Sequence, residues 1–527
     1  MAKTDYLILG SGLAAMSFAA LMAKAGKKVT ILEAHYCLGG YGHTFVAGDV
    51  YRFNAQFHYV WNCAEGRVVH NFLKKLNLHQ EVTFEKYDHN GYDHNRMPGY
   101  ALDIPSDLQI LIARLQTLFS THAVAIENFI HEVEQIANAL DTFPMPLSPK
   151  YLLSNLSSSY HLFKYRNATL QQVFDQFQLP LPVQTLLALQ WEDFLLPPRD
   201  LSFFAWVTLF IGYCRGAYYP TKHFEHVINT LAKTIEDNGG EIIYNRKVIQ
   251  FLRDGKTITG VVAEDLNDGQ FDEYHVLPQH IKKKKFDEYH GQDIICNIDP
   301  KKAAEMIGFN HFSNSIQRKL MYDYSPSNFM AYCVVKDLDL RDYGFGRWNI
   351  FHTEQEDLNQ VFDDMYLRGD YSKPSFVMTT PRLLTHENDC PENFQIIEFL
   401  TVANYDRFHD LKIGDAAQYR KKKKEIFDAM IAVVEKHYIP EFSKHLVFKM
   451  TGSPTTNQRF CGSPAGNSYG SNLTAKNLSL NRLDYRTSLK HFYFCNASSG
   501  FPGFTGTIKT GSMLYEQLSG DYFVKGD

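Results

Sequence analysis

Hydrophobic positions follow two rhythms along this chain. Residues 6–9, YLIL, are an unbroken apolar run, the pattern of a strand buried on both faces. Gly10-Ser11-Gly12 follows, then an alanine- and methionine-rich stretch that stops at Gly26, which reads as a helix closed by a C-terminal glycine. Residues 29–32, VTIL, are a second buried strand, and Glu33 closes it. Residues 46–62 alternate apolar with polar and predict a hairpin. Residues 105–190 change to the helical period, with amphipathic stretches at 110–118 and 123–140 between the prolines of FPMPLSP, LPLP and LLPP. Past GAYYP at 216–220, residues 226–236 predict an amphipathic helix ended by NGG. EIIYNRKVIQFL then reads as a strand pair, TITGVVAED as a strand, and 293–297 as a buried strand. The peptide FDEYH occurs at 271–275 and again at 286–290, around a lysine run, and reads as an exposed insertion in a hairpin. Over 301–450, strand-like runs such as FMAYCVV and FQIIEFLTVANY alternate with helices. The C-terminal HFYFCNASSGFPGFTG is again strand, glycine turn and helix start. Such opening and closing units can serve one sheet and one ligand.

The first unit carries specific chemistry. Gly10, Gly12 and Ala15 make a G-x-G-x-x-A turn: the first glycine permits the turn, the second lets a pyrophosphate approach the backbone, and the small third residue seats the helix. The pyrophosphate would lie at the helix N-terminus, where unpaired N–H groups favour anions. Glu33 would accept hydrogen bonds from ribose hydroxyls and repel a 2′-phosphate. The following GGYGHTF, 39–45, suits a second close backbone approach to an adenine dinucleotide; the alternative is an ordinary loop.

Length and composition set outer bounds. At 527 residues, two or more domains are expected. A balance of 53 basic against 58 acidic residues disfavours a dedicated nucleic-acid binder. The basic runs at 282–285 and 420–424 read as solvated faces, with an anionic membrane surface as the alternative. Aromatic content of 14% is high; it fits plain core or the wall of a large apolar ligand site. The 8 cysteines form no C-x-x-C pair, which predicts free thiols and a cytoplasmic setting. The apolar stretch 201–214, LSFFAWVTLFIGYC, is too short to span a bilayer; peripheral membrane contact, an access tunnel or a buried core helix would each use it.

Several motifs together resemble the flavoprotein family of phytoene desaturases, carotenoid isomerases and retinol saturases, within the amine-oxidase-like superfamily. LILGSGLAAMSFAALMAKAGKKVTILEAHYCLGGYGHTF is similar to its FAD fingerprint, and the HTF ending leans toward the retinol saturases. FNAQFHY resembles F-D-x-G-x-H-Y, with Asn54 and Gln56 in place of Asp and Gly. GAYYPTKHFEHVINTL resembles Y-P-x-G-G-x-x-x-L, with Lys222 and His223 where glycines are usual. IICNIDP, the segment GSPTTNQRFCGSPAGNSYG and the C-terminal GFPGFTGTIKTG are also similar, although Asn496 stands where a glycine is usual before the last. The likeness is weak over roughly 90–200 and 300–440.

The resemblance implies an α/β chain: a Rossmann-type discontinuous FAD-binding domain of residues 1–90, 215–300 and 450–527, and a mixed α+β substrate domain of 91–214 and 301–449. It implies FAD contacts from Gly10, Gly12, Leu13 and Ala14; from Glu33 and Ala34; from Gly39, Gly40, Tyr41 and His43; from Val248; and from Gly503, Phe504 and Thr505. The expected reaction is desaturation, saturation or isomerisation of a polyene or long-chain lipid. An amine-oxidase-like enzyme or a non-catalytic FAD-binding escort are the alternatives. His58 and Tyr59 are the polar candidates beside the flavin, as proton donor or substrate-positioning groups, or as a structural hairpin pair. Glu192 and Asp193 are weaker candidates for the same role and read first as helix-surface acids, and no metal cluster is evident. With a single dinucleotide fingerprint, direct reduction by NAD(P)H is not expected.

Overall fold

The computed structural model describes residues 4–142, 156–266, 285–385, 387, 389–478 and 481–524. FPMPLSP, the first FDEYH copy and Lys282–Lys284 lie outside these residues. The described chain builds two seven-stranded sheets. In the first, Thr4–Leu9 lies between Val29–Leu32 and Lys285–Cys296, parallel to both. Glu241–Ile243 extends one edge, and Phe492–Phe494 pairs parallel with Lys285–Cys296. The apolar runs at 6–9 and 29–32 are therefore central strands, as their lack of alternation predicts.

Lys285–Cys296 changes partners along its length. Its first half pairs antiparallel with Thr257–Asp265, from Lys285 opposite Asp265 to His290 opposite Gly260. Its second half, from Gly291, runs parallel to the first strand. A Cβ at Gly291 would stand 2.7 Å from Leu7 Cβ, so only glycine permits the crossing. The second FDEYH copy, read as part of an exposed insertion, is thus in the sheet.

The first helix, Leu13–Lys24, is apolar all round and buried from Leu13 to Ala23. It packs against the last helix, Gly503–Ser519, which starts within the predicted glycine turn. Gly511 abuts the Ala14 carbonyl there, so the two helices approach backbone to backbone. Leu13 and Gly503, the first residues of the two helices, line one cavity; in open α/β sheets ligands bind outside the carboxyl ends of the strands.

The second sheet runs in the order Leu446–Gly452, Ser327–Lys336, Phe394–Ala403, Ser375–Thr379, Asn349–Thr353, Asp93–Met97, Tyr100–Ile104. All its pairs are antiparallel except Asn349–Thr353 with Asp93–Met97. The predicted helical block is present, with helices Leu108–Leu118, Ala123–Thr142, Leu156–Tyr165, Leu170–Gln176 and Leu181–Ala188. Phe203–Cys214 is a helix whose Trp206, Val207 and Phe210 are buried. Among the described residues no helix is long and apolar enough to cross a membrane.

The alternation over 46–62 holds one hairpin only in its first part, Thr44–Ala47 with Tyr51–Asn54. Phe53 stacks against Phe448 and meets Tyr332, which lays this hairpin on the second sheet. Val60–Trp61 pairs instead with Ala217–Pro220, and Phe84–Lys86 joins the same small sheet. The run at 420–424 is not a free cationic face either. Lys422 and Lys423 donate to the Gly369 and Thr451 carbonyls at 2.7 and 2.6 Å, and Lys424 pairs with Asp428.

Candidate functional site

One cavity of about 2740 Å³ runs from the glycine turns, past the start of the last helix, to the helical block. At its near end the turn Gly10-Ser11-Gly12 is fixed by side chains from distant segments. Gly10 has φ +94°, open to glycine and strained for other residues. The Gly12 amide donates to Asn297 Oδ1 at 3.0 Å, and Asn297 Nδ2 donates to the Cys495 carbonyl at 2.5 Å. One asparagine therefore ties the ends of Thr4–Leu9, Lys285–Cys296 and Phe492–Phe494 together. Gly39 donates to the Ser11 carbonyl at 3.1 Å, so the second glycine pair leans on the first turn.

Glu33 binds its own surroundings. Its Oε2 accepts from Ser11 N at 2.7 Å and Ser11 Oγ at 2.6 Å, and its Oε1 accepts from His35 N at 2.8 Å. A carboxylate offers about four acceptor sites, so one remains for a ligand hydroxyl. Burial pushes its carboxyl above the usual range, against the pull of these bonds. Gly10, Gly12, Leu13, Ala14, Glu33, Ala34, Gly39, Gly40, Tyr41, His43, Val248, Gly503, Phe504 and Thr505 all line this cavity. So do His58 and Tyr59, further along it.

Arg482, which the sequence reading passed over, lines the cavity as well. It is buried; its Nη2 donates to the Ala497 carbonyl at 2.6 Å and its Nε to that of Gly500, but Nη1 has no partner. Burial pushes its guanidinium down to about 10. A buried cation with an unused N–H₂ group suits an anionic ligand. The last helix begins nearby with no side chain capping its first turn. Asn496, in the glycine's usual place, donates to the Cys296 and Ile298 carbonyls at 3.3 and 3.1 Å and shapes the turn before this helix.

The far wall is built of side chains. His58 Nε2 donates to Asp193 Oδ1 at 3.0 Å, and Tyr59 donates to Asp193 Oδ2 at 2.6 Å. Asp93 lies behind them, with its Oδ2 3.3 Å from the Tyr59 hydroxyl. Gln190 donates to both Tyr59 and Asp93, and Asn349 donates to Asp93 Oδ1 at 3.1 Å. The Tyr59 ring stacks on Tyr213 at 3.9 Å. Burial and the nearby Asp193 push the Asp93 carboxyl well above the ordinary range, against the pull of the bonds it accepts. The reading of Glu192 and Asp193 as surface acids is overturned: Glu192 is 0% and Asp193 9% exposed. They stand in a short 3₁₀ turn, Leu189–Asp193, folded inward against Asn349–Thr353 and Phe394–Ala403 of the second sheet. Burial pushes Glu192 well above the usual range.

Beyond this wall the lining is mostly apolar: Phe194, Phe204, Leu209, Leu140 and Leu162, with Phe163 49% exposed at the rim. Phe203–Cys214 is thus a core helix on one side and cavity wall on the other.

Comparison with known proteins bears on what this arrangement is for. A family profile described as an NAD(P)-binding Rossmann-like domain matches residues 8–76. The all-trans-retinol 13,14-reductase of Danio rerio is 22% identical over 97% of this chain and 86% of its own length. The chloroplastic prolycopene isomerase of Daucus carota is 21% identical over 95% and 77%. Along nearly its whole length the chain is thus similar to retinol reductases and prolycopene isomerases. It is an enzyme of the oxidoreductase or isomerase class, and it binds a dinucleotide cofactor. Among solved structures, a putrescine oxidase bound to putrescine superposes with TM-score 0.64 at 12% identity, over 98% of this chain and 99% of that one. An oxidoreductase from Methanosarcina mazei superposes with TM-score 0.57 at 12% identity, over 97% and 100%. These superpositions show the shared fold.

Asn54 and Gln56, which stand where the motif resembled has an aspartate and a glycine, are both bonded. Asn54 donates to the Tyr219 hydroxyl at 2.5 Å, and Gln56 to Asn328 and Asn457 at 3.2 Å each. His223, at an expected glycine, has φ +63°, a conformation glycine adopts without strain.

Proposed function

We propose that this protein is an FAD-dependent oxidoreductase or isomerase acting on C=C or C–C bonds of a polyene or other long-chain apolar lipid. The observation that carries the reading is the continuity and size of the cavity. Sites for one small molecule run to roughly 300–1,000 Å³. A cavity of about 2740 Å³, backbone-lined at one end and apolar at the other, has room for a dinucleotide and a long apolar molecule end to end.

The near-end residues fit FAD. Gly12 is cleared of side chain where a Cβ would collide with Asn297. The N-terminus of Leu13–Lys24 and Arg482 Nη1 supply positive ends, and Glu33 keeps an acceptor for ribose. Gly39, Gly40, Tyr41, His43, Val248, Gly503, Phe504 and Thr505 complete the contacts in this proposal. FAD, when bound, supplies hydride or electron exchange with an unactivated carbon chain. The protein's part is to orient the substrate along the apolar wall, exclude water and manage protons. Asp193 Oδ2 holds the Tyr59 proton, and Asp193 Oδ1 fixes the His58 ring. His58 and Tyr59 are thereby placed as substrate-facing proton carriers or positioning groups. The discontinuous FAD domain and the substrate domain expected from the sequence follow the same division of labour.

The amine-oxidase alternative is disfavoured at the same wall. Both Asp193 oxygens are engaged, which leaves that acid poorly placed to hold an ammonium. The named relatives make retinol and prolycopene the first substrates to try. Purified protein is expected to release FAD on denaturation. Incubation with each polyene should give a product two mass units heavier when dithionite reduces the flavin, a product two units lighter when oxygen or a quinone accepts the electrons, or a retention shift at constant mass. A colourless protein that takes up no FAD, or a holoenzyme inert to both polyenes and to whole lipid extracts, would sink the proposal. The apolar rim at Phe163 also supports peripheral membrane contact, for which flotation with anionic liposomes above a soluble control is the check.

A further inference from the structure

A second cluster of ligating side chains lies away from the cavity, where the strand Asn349–Thr353 meets the end of the long helix Ala416–His437. Glu354 Oε1 accepts from His352 Nε2 at 3.0 Å and from His437 Nε2 at 2.8 Å. One ligand atom from each of the three residues lies within 4.8 Å of the others. We propose that His352, Glu354 and His437 form a site for a divalent transition-metal ion, zinc being the best match.

The donor set argues for zinc over calcium or magnesium. Two imidazoles and one carboxylate are borderline-soft ligands that zinc accepts, whereas calcium and magnesium take oxygen ligands. Zinc–nitrogen and zinc–oxygen bonds of about 2.0–2.1 Å at tetrahedral angles put ligand atoms about 3.3 Å apart. The two glutamate–histidine spacings of 3.0 and 2.8 Å need to open by a few tenths of an ångström, and the two histidine nitrogens, within 4.8 Å of each other, settle to the same separation by rotation of the half-exposed His437 ring.

The surroundings allow the change. His352 Nδ1 accepts from the Tyr438 hydroxyl at 2.7 Å. A tyrosine hydroxyl both donates and accepts, so His352 can move its proton to Nδ1, donate it to Tyr438 and free the Nε2 lone pair without losing a partner. Such an outer hydrogen bond is the usual way a ligating histidine is oriented. Glu354 Oε2 is taken by the Lys436 ammonium at 3.1 Å, which leaves Oε1 for the metal. His352 is buried and His437 is 37% exposed on its side chain, so the fourth position opens to solvent. An ion here would join the second sheet to its covering helix. None of the three residues lines the cavity, so the site is structural or regulatory and independent of the proposed reaction.

The test uses untagged full-length protein stripped with a chelator and titrated calorimetrically with zinc chloride. Wild type is expected to bind one equivalent at micromolar affinity or tighter, and cobalt(II) should give the visible spectrum of a four-coordinate site. His437→Ala, at a half-exposed position that folding does not need, should weaken zinc at least tenfold. Lys436→Ala removes the neighbouring positive charge and should bind zinc at least as tightly as wild type. Absence of zinc binding in the wild type, or equal binding by His437→Ala, would overturn the proposal.

Discussion

The two ends of the cavity are made from different material. The near end is backbone: glycine turns, two helix starts and the carboxyl ends of parallel strands. The far wall is side chain: His58, Tyr59 and Asp193, supported by Asp93, Gln190 and Asn349. A backbone site holds a ligand by shape and by N–H groups that no substitution removes, so it fails when a side chain intrudes. A side-chain network fails when one member loses its partner. Variants at the two ends should therefore separate cofactor retention from turnover.

The largest effect is expected at Gly12. Gly12→Val puts a branched side chain against Asn297 Oδ1 and into the path of the cofactor. Flavin content of the purified protein should fall to about a tenth of wild type or less, because this glycine is the close-approach position of the turn. Undiminished flavin absorbance would mean that the dinucleotide does not cross Gly12.

Asp193→Asn should do the reverse. The substitution keeps size but sets an N–H₂ group against one of two donors, His58 Nε2 or the Tyr59 hydroxyl. Turnover should drop on the order of 10²-fold, the scale of a misplaced proton-handling group, while flavin content holds. Steady-state kinetics beside flavin quantitation separate the two outcomes. Parallel loss of flavin and activity would show that the wall supports the cofactor too, and the contrast between the ends would collapse.

That contrast also explains what the sequence disclosed. Gly10, Gly12 and the strand at 29–32 were legible because a βαβ unit is local: its turn, helix and strand report themselves by spacing and apolar period. The helices at 108–118 and 123–142 were legible for the same reason. Asp193 was not. Glu192 and Asp193 are adjacent acids between two helical stretches, and by composition such a pair sits in water. Asp193 is buried with His58 and Tyr59, more than a hundred residues away, and Tyr59 also reaches Asp93 from a third segment. Arg482 escaped for a similar reason, since its partners are main-chain carbonyls that any sequence provides. The hairpin of 46–62 was half legible: alternation marks strands but does not say which partner each will take.

Glu33→Ala tests the near end more gently. Ser11 N, Ser11 Oγ and His35 N would lose their acceptor, and the ligand would lose one ribose contact. Flavin affinity should weaken by roughly 1–3 kcal/mol, the scale of hydrogen bonds to a charged group. Equilibrium dialysis of the apoprotein against FAD measures it. Unchanged affinity would mean that Glu33 only braces the turn.

The smallest effect on the cavity itself concerns the seam between hairpin and second sheet. Glu398 is 2% exposed; its Oε1 accepts from Asn54 N at 3.3 Å, and Oε2 has no partner. Burial pushes its carboxyl up to about 8. The folded state therefore holds this proton more tightly than the unfolded chain does, whose glutamates titrate near 4.3. The stability this group contributes is complete below that lower value and is lost as pH rises through about 8, because folding must then keep a bare carboxylate out of water. Glu398→Gln removes the titration and keeps the shape and the Asn54 bond. Its unfolding free energy relative to wild type should rise between pH 5 and pH 9 by about 4 kcal/mol, close to three pH units at about 1.4 kcal/mol each. An offset that is the same at both pH values would mean that Glu398 reaches water or a counter-ion when it ionises. The hairpin that carries the chain toward His58 would then be more loosely seated on the second sheet than its contacts indicate.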